Sequence, residues 1–131
     1  MTESEIAALP KLRMTAVHAR KVLNGKKTKT IRTERSQMTS GLYRLELNGK
    51  PVAVVRVENL GQTRWDFLSG HERLSLAKDE GGYSIEAFEH LLRNFRIFKS
   101  YPYRGFIDNG EPRWLHKLDV ISTVEEAQDN G

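Results

Sequence analysis

The sequence contains no cysteine, which excludes disulfides, thiolate metal sites and a cysteine nucleophile. Proline is scarce, 4 in 131 residues, and no apolar run approaches the roughly 18 residues needed to span a bilayer. The opening MTESEIAALP carries Glu3 and Glu5 where a secretory signal would carry a basic segment, so none is read there. These absences lead to the expectation of a cytoplasmic protein with no membrane partner. A glycine-rich phosphate loop is also lacking, because Gly81-Gly82 has neither the lysine nor the preceding strand. His18, His71, His90 and His116 form no pair at metal-ligand spacing, so neither a metal nor another cofactor is expected.

What is present suits one domain, since a chain of this length buries roughly two-thirds of its unfolded surface. All 21 Lys and Arg fall within residues 11–122, whereas Glu3, Glu5, Glu125, Glu126 and Asp129 lie outside them. Residues 1–10 and 123–131 therefore read as mobile acidic tails around a single domain at 11–122. That basic body favours a polyanionic partner through phosphate contacts and counterion release, although solubility alone explains many such excesses.

Leu12 and Met14 predict a short strand, after which Thr15 caps a helix with Ala16, Val17, Ala19, Val22 and Leu23 at helical spacing. Asn24-Gly25 ends that helix, and the Thr- and Ile-bearing segment 27–32 reads as a strand. A polar loop at 33–40 follows. Asn48-Gly49 between two apolar-rich runs, 41–47 and 51–60, is a strong hairpin signal. The second run, VAVVRVENL, is nearly continuously apolar and is assigned to a central strand. Helices are predicted at 72–78 and from Ser84, the latter with Ile85, Phe88, Leu91, Leu92 and Phe95 on one face. An irregular basic and aromatic stretch at 96–113 leads to a closing strand at 114–121. The order predicts an α+β fold, a small curved sheet or β-barrel with flanking helices.

The densest positive feature runs from Arg20 to Arg35 and includes Lys21, Lys26, Lys27, Lys29 and Arg32, against Glu34 alone. It is either one wall of a phosphate-facing groove or an edge strand protected from aggregation by its lysines. Thr28 and Thr30, interleaved there, add hydroxyls that protection does not require.

The run Val22-Leu23-Asn24-Gly25-Lys26-Lys27-Thr28-Lys29-Thr30-Ile31-Arg32 resembles the signature of the ASCH domain, in which a helix ending in Gly is followed by a Lys-Thr element and a strand ending Thr-Ile-Arg. Ser40-Gly41, the strand at 52–57, Ala77 to Glu80 before Gly81, an amphipathic helix and the closing strand follow in the family's order. The resemblance implies a PUA-like barrel with flanking helices and a cleft for RNA or a modified nucleoside. Within that superfamily the chain is similar to small bacterial amidohydrolases that remove the acetyl group of N4-acetylcytidine. Carried over, their lysine base falls on Lys27, their threonine nucleophile on Thr30 and their glutamate proton donor on Glu80. Lys29 departs from the apolar residue usual in them, and the segment 99–113 has no obvious counterpart.

The implied chemistry is coherent. A threonine hydroxyl needs a base beside it, and a lysine serves only when neutral. Desolvation and the charges of Lys26, Lys29 and Arg32 are expected to depress Lys27. One difficulty is geometric: positions 27 and 30 point to opposite faces of a regular strand, so a turn or bulge is required at Lys27. Without the resemblance, Thr30 is an ordinary strand residue and Glu80 an ordinary carboxylate near a helix end. Lys26, Lys29, Arg32 and Arg35 are assigned to substrate or RNA binding. Tyr101 and Tyr103, near Lys99 and Arg104, are candidates to stack a base, as are Trp65 and Trp114, although Trp114 and His116 fit structural roles better. The alternative function is an RNA-binding domain, either without chemistry or with ribonuclease activity.

Overall fold

Asn48 and Gly49 both adopt positive φ, 54° and 78°, which gives the two-residue turn whose twist matches a hairpin. It joins β2 (Gly41–Leu47) to β3 (Lys50–Thr63), antiparallel. β3 also pairs with β4 (Arg113–Thr123), and β4 pairs with β1 (Lys29–Arg32), giving a four-stranded antiparallel sheet in the order β1-β4-β3-β2. The computed structural model describes residues 1–94 and 103–124. Among these the sheet is open, with β1 and β2 as edges, so the barrel form of the expectation is not seen. Register shifts at Leu45/Glu46, Val54/Val55 and Asn59/Gly61 mark bulges that bend it.

The near-continuous apolar run of β3 has a direct cause, because both of its faces are covered. Ala53, Val55 and Val57 pack beneath α2 (Ala16–Leu23) with Ala19, Val22 and Leu118. Val54 points the other way and meets Ile6 of α1 (Glu3–Ala7). The first residues thus depart from the expected tail: Thr2 and Glu5 form a reciprocal cap, and Ile6 is buried. Nor is there a strand at Leu12 and Met14. Lys11 makes a single parallel bridge to Arg44, after which the chain turns at the Thr15 cap, with Leu12 buried in the core and Met14 half-buried against it.

Beyond β3 comes a short turn of 3-10 helix at Trp65–Phe67, then α3 (Gly70–Gly81) and α4 (Ile85–Asn94). α3 is longer than the predicted 72–78 because Ser69 and Glu72 cap its start reciprocally and Gly82, at φ 81°, closes its end. Within the stretch read as irregular, residues 104–108 form α5 (Arg104–Asp108). These helices enclose a second core with Ile31, Trp65, Leu76, Phe88, Leu92 and Phe106. Trp65 lies between Phe88 and Phe106 at ring-centroid distances of 5.8 and 5.7 Å, so it is a core residue and no stacking platform for a base. Trp114 is half-buried in β4. Among the described residues no helix is long and apolar enough to cross a membrane.

Candidate active site

The site forms where α2 hands the chain to β1. Gly25, at φ 78°, lets the chain leave the helix, and the N–H groups of Lys26 and Lys27 both donate to the Lys21 carbonyl, at 2.9 and 3.0 Å. Thr28 N–H then donates to Asp79 O at 2.8 Å, and strand pairing starts only at Lys29. Lys27 therefore sits in a turn ahead of the strand, where strand alternation does not apply. Both Lys27 and Thr30 line one cleft of about 70 Å³, and Glu80 lines it with them.

All three side chains are buried, with exposures of 3% for Lys27, 5% for Thr30 and 6% for Glu80. The Lys27 ammonium forms an ion pair with Glu80 Oε2 and donates to the Glu80 carbonyl at 3.0 Å. Glu80 Oε1 accepts the Ile31 N–H at 2.6 Å, which fixes the carboxylate against β1. A buried pair held by extra hydrogen bonds on both partners avoids the cost of an isolated charge. Burial pushes Lys27 below its ordinary value; Glu80 opposes that, and the charges of Arg32 and Lys21 add to it. Of the cations expected to depress it, Arg32 does so, whereas Lys26 and Lys29 do not. Lys29 is paired with Asp79 at 3.2 Å and Lys26 is exposed, while Lys21 takes their place.

The rest of the cleft is mixed in character. Arg32 lines it, half-buried, with Nη2 donating to the Arg13 carbonyl at 2.6 Å. Tyr103 lines it as well, but at 7% exposure and with the Arg113 guanidinium 5.6 Å from its ring centroid it is a wall residue and not an open stacking surface. Burial raises its phenol above the ordinary value. Tyr101 and Phe95 lie outside the described residues. Lys26, Lys29 and Arg35 do not line the cleft, and Arg35 is exposed in the turn after β1. The floor is apolar, supplied by Phe88, Leu91 and Leu92 of α4.

His116, opposite Thr30 in the β1 and β4 pairing, is fully buried. Its Nε2 accepts the Met38 N–H at 2.9 Å, which requires the neutral ring with its proton on Nδ1. Asn59 reinforces this anchor: its Nδ2 donates to Met38 O at 2.8 Å and its N–H to Ser40 Oγ at 2.9 Å. The end of the polar 33–40 loop is thereby tied to the sheet.

His18 was not among the site residues read from the sequence, yet it lines the cleft from α2. Its signal was helical phase, because it precedes buried Val22 by one turn. Burial and the charges of Lys27, Lys21 and Arg32 push the imidazole down to about 4, so it is neutral in the folded protein at neutral pH. Between about 4 and its ordinary 6.5 the unfolded chain binds a proton that the folded chain does not. Stability is therefore expected to fall as the pH is lowered through that window. His18→Phe should flatten this dependence, measured as urea midpoint against pH; an equally steep profile in the variant would remove His18 as its source.

The fold and the site define a small α+β domain with a bent antiparallel sheet, flanking helices and a Lys-Thr-Glu cleft at one sheet edge. No protein-family model and no curated protein matches the chain. A solved structure does: the crystal structure of protein EF3133 from Enterococcus faecalis V583, which carries the family designation DUF984, superposes with a TM-score of 0.54 at 18% identity over 86% of this chain and 71% of that one. At this identity the likeness is one of fold.

Proposed function

We propose that the chain is an ASCH-type domain of the PUA-like superfamily that hydrolyses the acetyl amide of N4-acetylcytidine or a closely related modified nucleoside. The observation that carries this reading is the buried Lys27–Glu80 pair in the same cleft as Thr30. The mechanism needs a neutral amine and a protonated carboxyl, and one proton passing from Lys27 to Glu80 supplies both without changing the net charge of the pair. Every hydrogen bond survives that transfer: Oε2–H donates to Nζ, and Oε1 still accepts from Ile31.

Lys27 then takes the Thr30 proton as Oγ bonds the acetyl carbon. The C–N4 bond breaks as Glu80 protonates N4, and cytidine leaves. Glu80 takes a proton from water as its oxygen bonds the acyl carbon, the C–Oγ bond breaks as the Lys27 ammonium returns its proton to Thr30 Oγ, and acetic acid leaves and ionises to acetate and a solvent proton. Arg32, which lines the same cleft, is assigned to hold the developing oxyanion.

The test is incubation of the purified protein with N4-acetylcytidine, followed by chromatography for cytidine and acetate, with Lys27→Met alongside. Conversion by the wild type that is lost in the variant is the expected result. A folded wild type that releases neither product would overturn the reading and favour an RNA-binding or RNA-cleaving domain, for which a labelled RNA panel is the next assay.

A further inference from the structure

One residue outside the Lys-Thr-Glu set is tied to both halves of the ion pair. Lys21, in the last turn of α2, sends its Nζ across to the end of α3, where it donates to the Gly81 carbonyl at 3.1 Å and the Tyr83 hydroxyl at 2.9 Å. Gly81 directly follows Glu80. The backbone carbonyl of the same lysine accepts from the N–H groups of Lys26 and Lys27, which shapes the turn that delivers Lys27. The approach at Gly81 is close: a Cβ there would lie 3.1 Å from Lys21 Nζ and 2.9 Å from the Tyr83 ring. Glycine at 81, at φ 155°, suits both this backbone conformation and the close approach of the lysine. Nζ also lies 4.2 Å from the Tyr83 ring centroid, so among the described residues its partners are a carbonyl, a hydroxyl and an aromatic ring, none of them a carboxylate.

We propose that Lys21 is the positioning residue of this site, a clamp that holds the end of α3 bearing Glu80 against the turn bearing Lys27 and sets a fixed positive charge beside the pair. Its chemical consequence rests on the amidohydrolase reading, in which neutral Lys27 is the base and a nearby cation disfavours its ammonium form. The charged and titratable groups around Lys27 come from every side of the cleft. Glu80 of α3 favours the ammonium, Arg32 of β1 and Lys21 of α2 oppose it, and His18 and Tyr103 are neutral in the folded protein at neutral pH. Removing Lys21 takes away one of the two opposing cations and the fixed spacing together.

Lys21→Met and Lys21→Arg separate these roles. Turnover of N4-acetylcytidine is followed against pH, and Lys27 is followed independently through the side-chain carbon and nitrogen NMR signals of isotope-labelled lysine. Lys21→Met is expected to lose on the order of ten- to a hundredfold in kcat at pH 7, with Lys27 titrating at higher pH and the acid limb of kcat moving the same way. Turnover should recover in part as the pH rises. Lys21→Arg, which keeps the charge and a donor, should leave the Lys27 titration near that of the wild type. If Lys21→Met leaves the Lys27 titration unchanged, or if both variants lose the same fraction of turnover at every pH, Lys21 is a structural strut and the proposal fails. The NMR arm needs no substrate. A wild type without turnover therefore overturns the amidohydrolase reading alone, while the titration still decides whether Lys21 acts on Lys27. Thermal unfolding of each variant shows that a folded species is being measured.

Discussion

Thr30→Ala is expected to reduce kcat on N4-acetylcytidine by a factor on the order of 10⁴ while changing KM little, because it removes the proposed nucleophile and no group used for binding. The structure makes this a clean substitution. Thr30 pairs with His116 through its backbone, and the Lys27–Glu80 ion pair and the Ile31 N–H to Glu80 bond do not involve its hydroxyl. The variant should therefore keep the fold, the cleft and the charge pair. Thr30→Ser, which restores a hydroxyl, should recover measurable turnover, and mass spectrometry of a rapidly quenched wild-type reaction should find acetyl on the peptide containing Thr30. Turnover of Thr30→Ala within a few fold of wild type would rule out the acyl-threonine route.

Glu80→Ala should have the largest effect on stability, a loss of about 3–5 kcal/mol at neutral pH, because it leaves the Lys27 ammonium buried without its counter-ion and the Ile31 N–H without its acceptor. The pH dependence identifies the cause. Burial lowers Lys27 in the folded state, and without Glu80 nothing on the carboxylate side opposes that. The unfolded chain then binds a proton that the folded chain gives up, so stability should rise with pH until the ordinary lysine value is reached. Urea unfolding at pH 7 and pH 9.5 measures this: the Glu80→Ala deficit should narrow at the higher pH. A deficit independent of pH would mean that the lost Ile31 hydrogen bond or the cavity, and not the stranded charge, is responsible. Glu80→Gln, which keeps the volume and an acceptor for Ile31 but removes the negative charge, isolates the charge from both.

The features legible in the sequence are those written in local chemistry. Asn48-Gly49 announces its hairpin, Ser84 and the spacing of Ile85, Phe88 and Leu92 announce α4, and the continuous apolar run of β3 announces a strand covered on both sides. The helix at Glu3–Ala7 was written there too, in the reciprocal cap of Thr2 and Glu5, but the acidic composition of the segment outweighed it. Positions 27, 30 and 80 come from a resemblance; nothing local to Glu80 says that it meets Lys27, 53 residues away. Likewise the cation beside Lys27 was sought among Lys26 and Lys29, its neighbours in sequence. Lys29 is held by Asp79 across the β1 edge, and the cations that act on Lys27 are Arg32, which was expected, and Lys21 in the last turn of α2. His18 and Tyr103 reach the cleft by helix phase and by the return of the chain after α4, relations that single residue types do not encode.

β1 has a further consequence, in the order in which the protein is made. Among the described residues its only strand partner is β4, with Thr30 opposite His116 and Ile31 opposite Leu115. β2 and β3 can zip up as a hairpin as soon as they leave the ribosome, whereas β1 must wait until nearly the whole of the described chain has followed it. A nascent chain ending before residue 113 holds the nucleophile candidate on an unpaired strand, without the partner that sets its direction. The cleft is thus assembled only after β4 has emerged, and a shorter nascent chain carries Lys27, Thr30 and Glu80 apart from the partner strand that orders them.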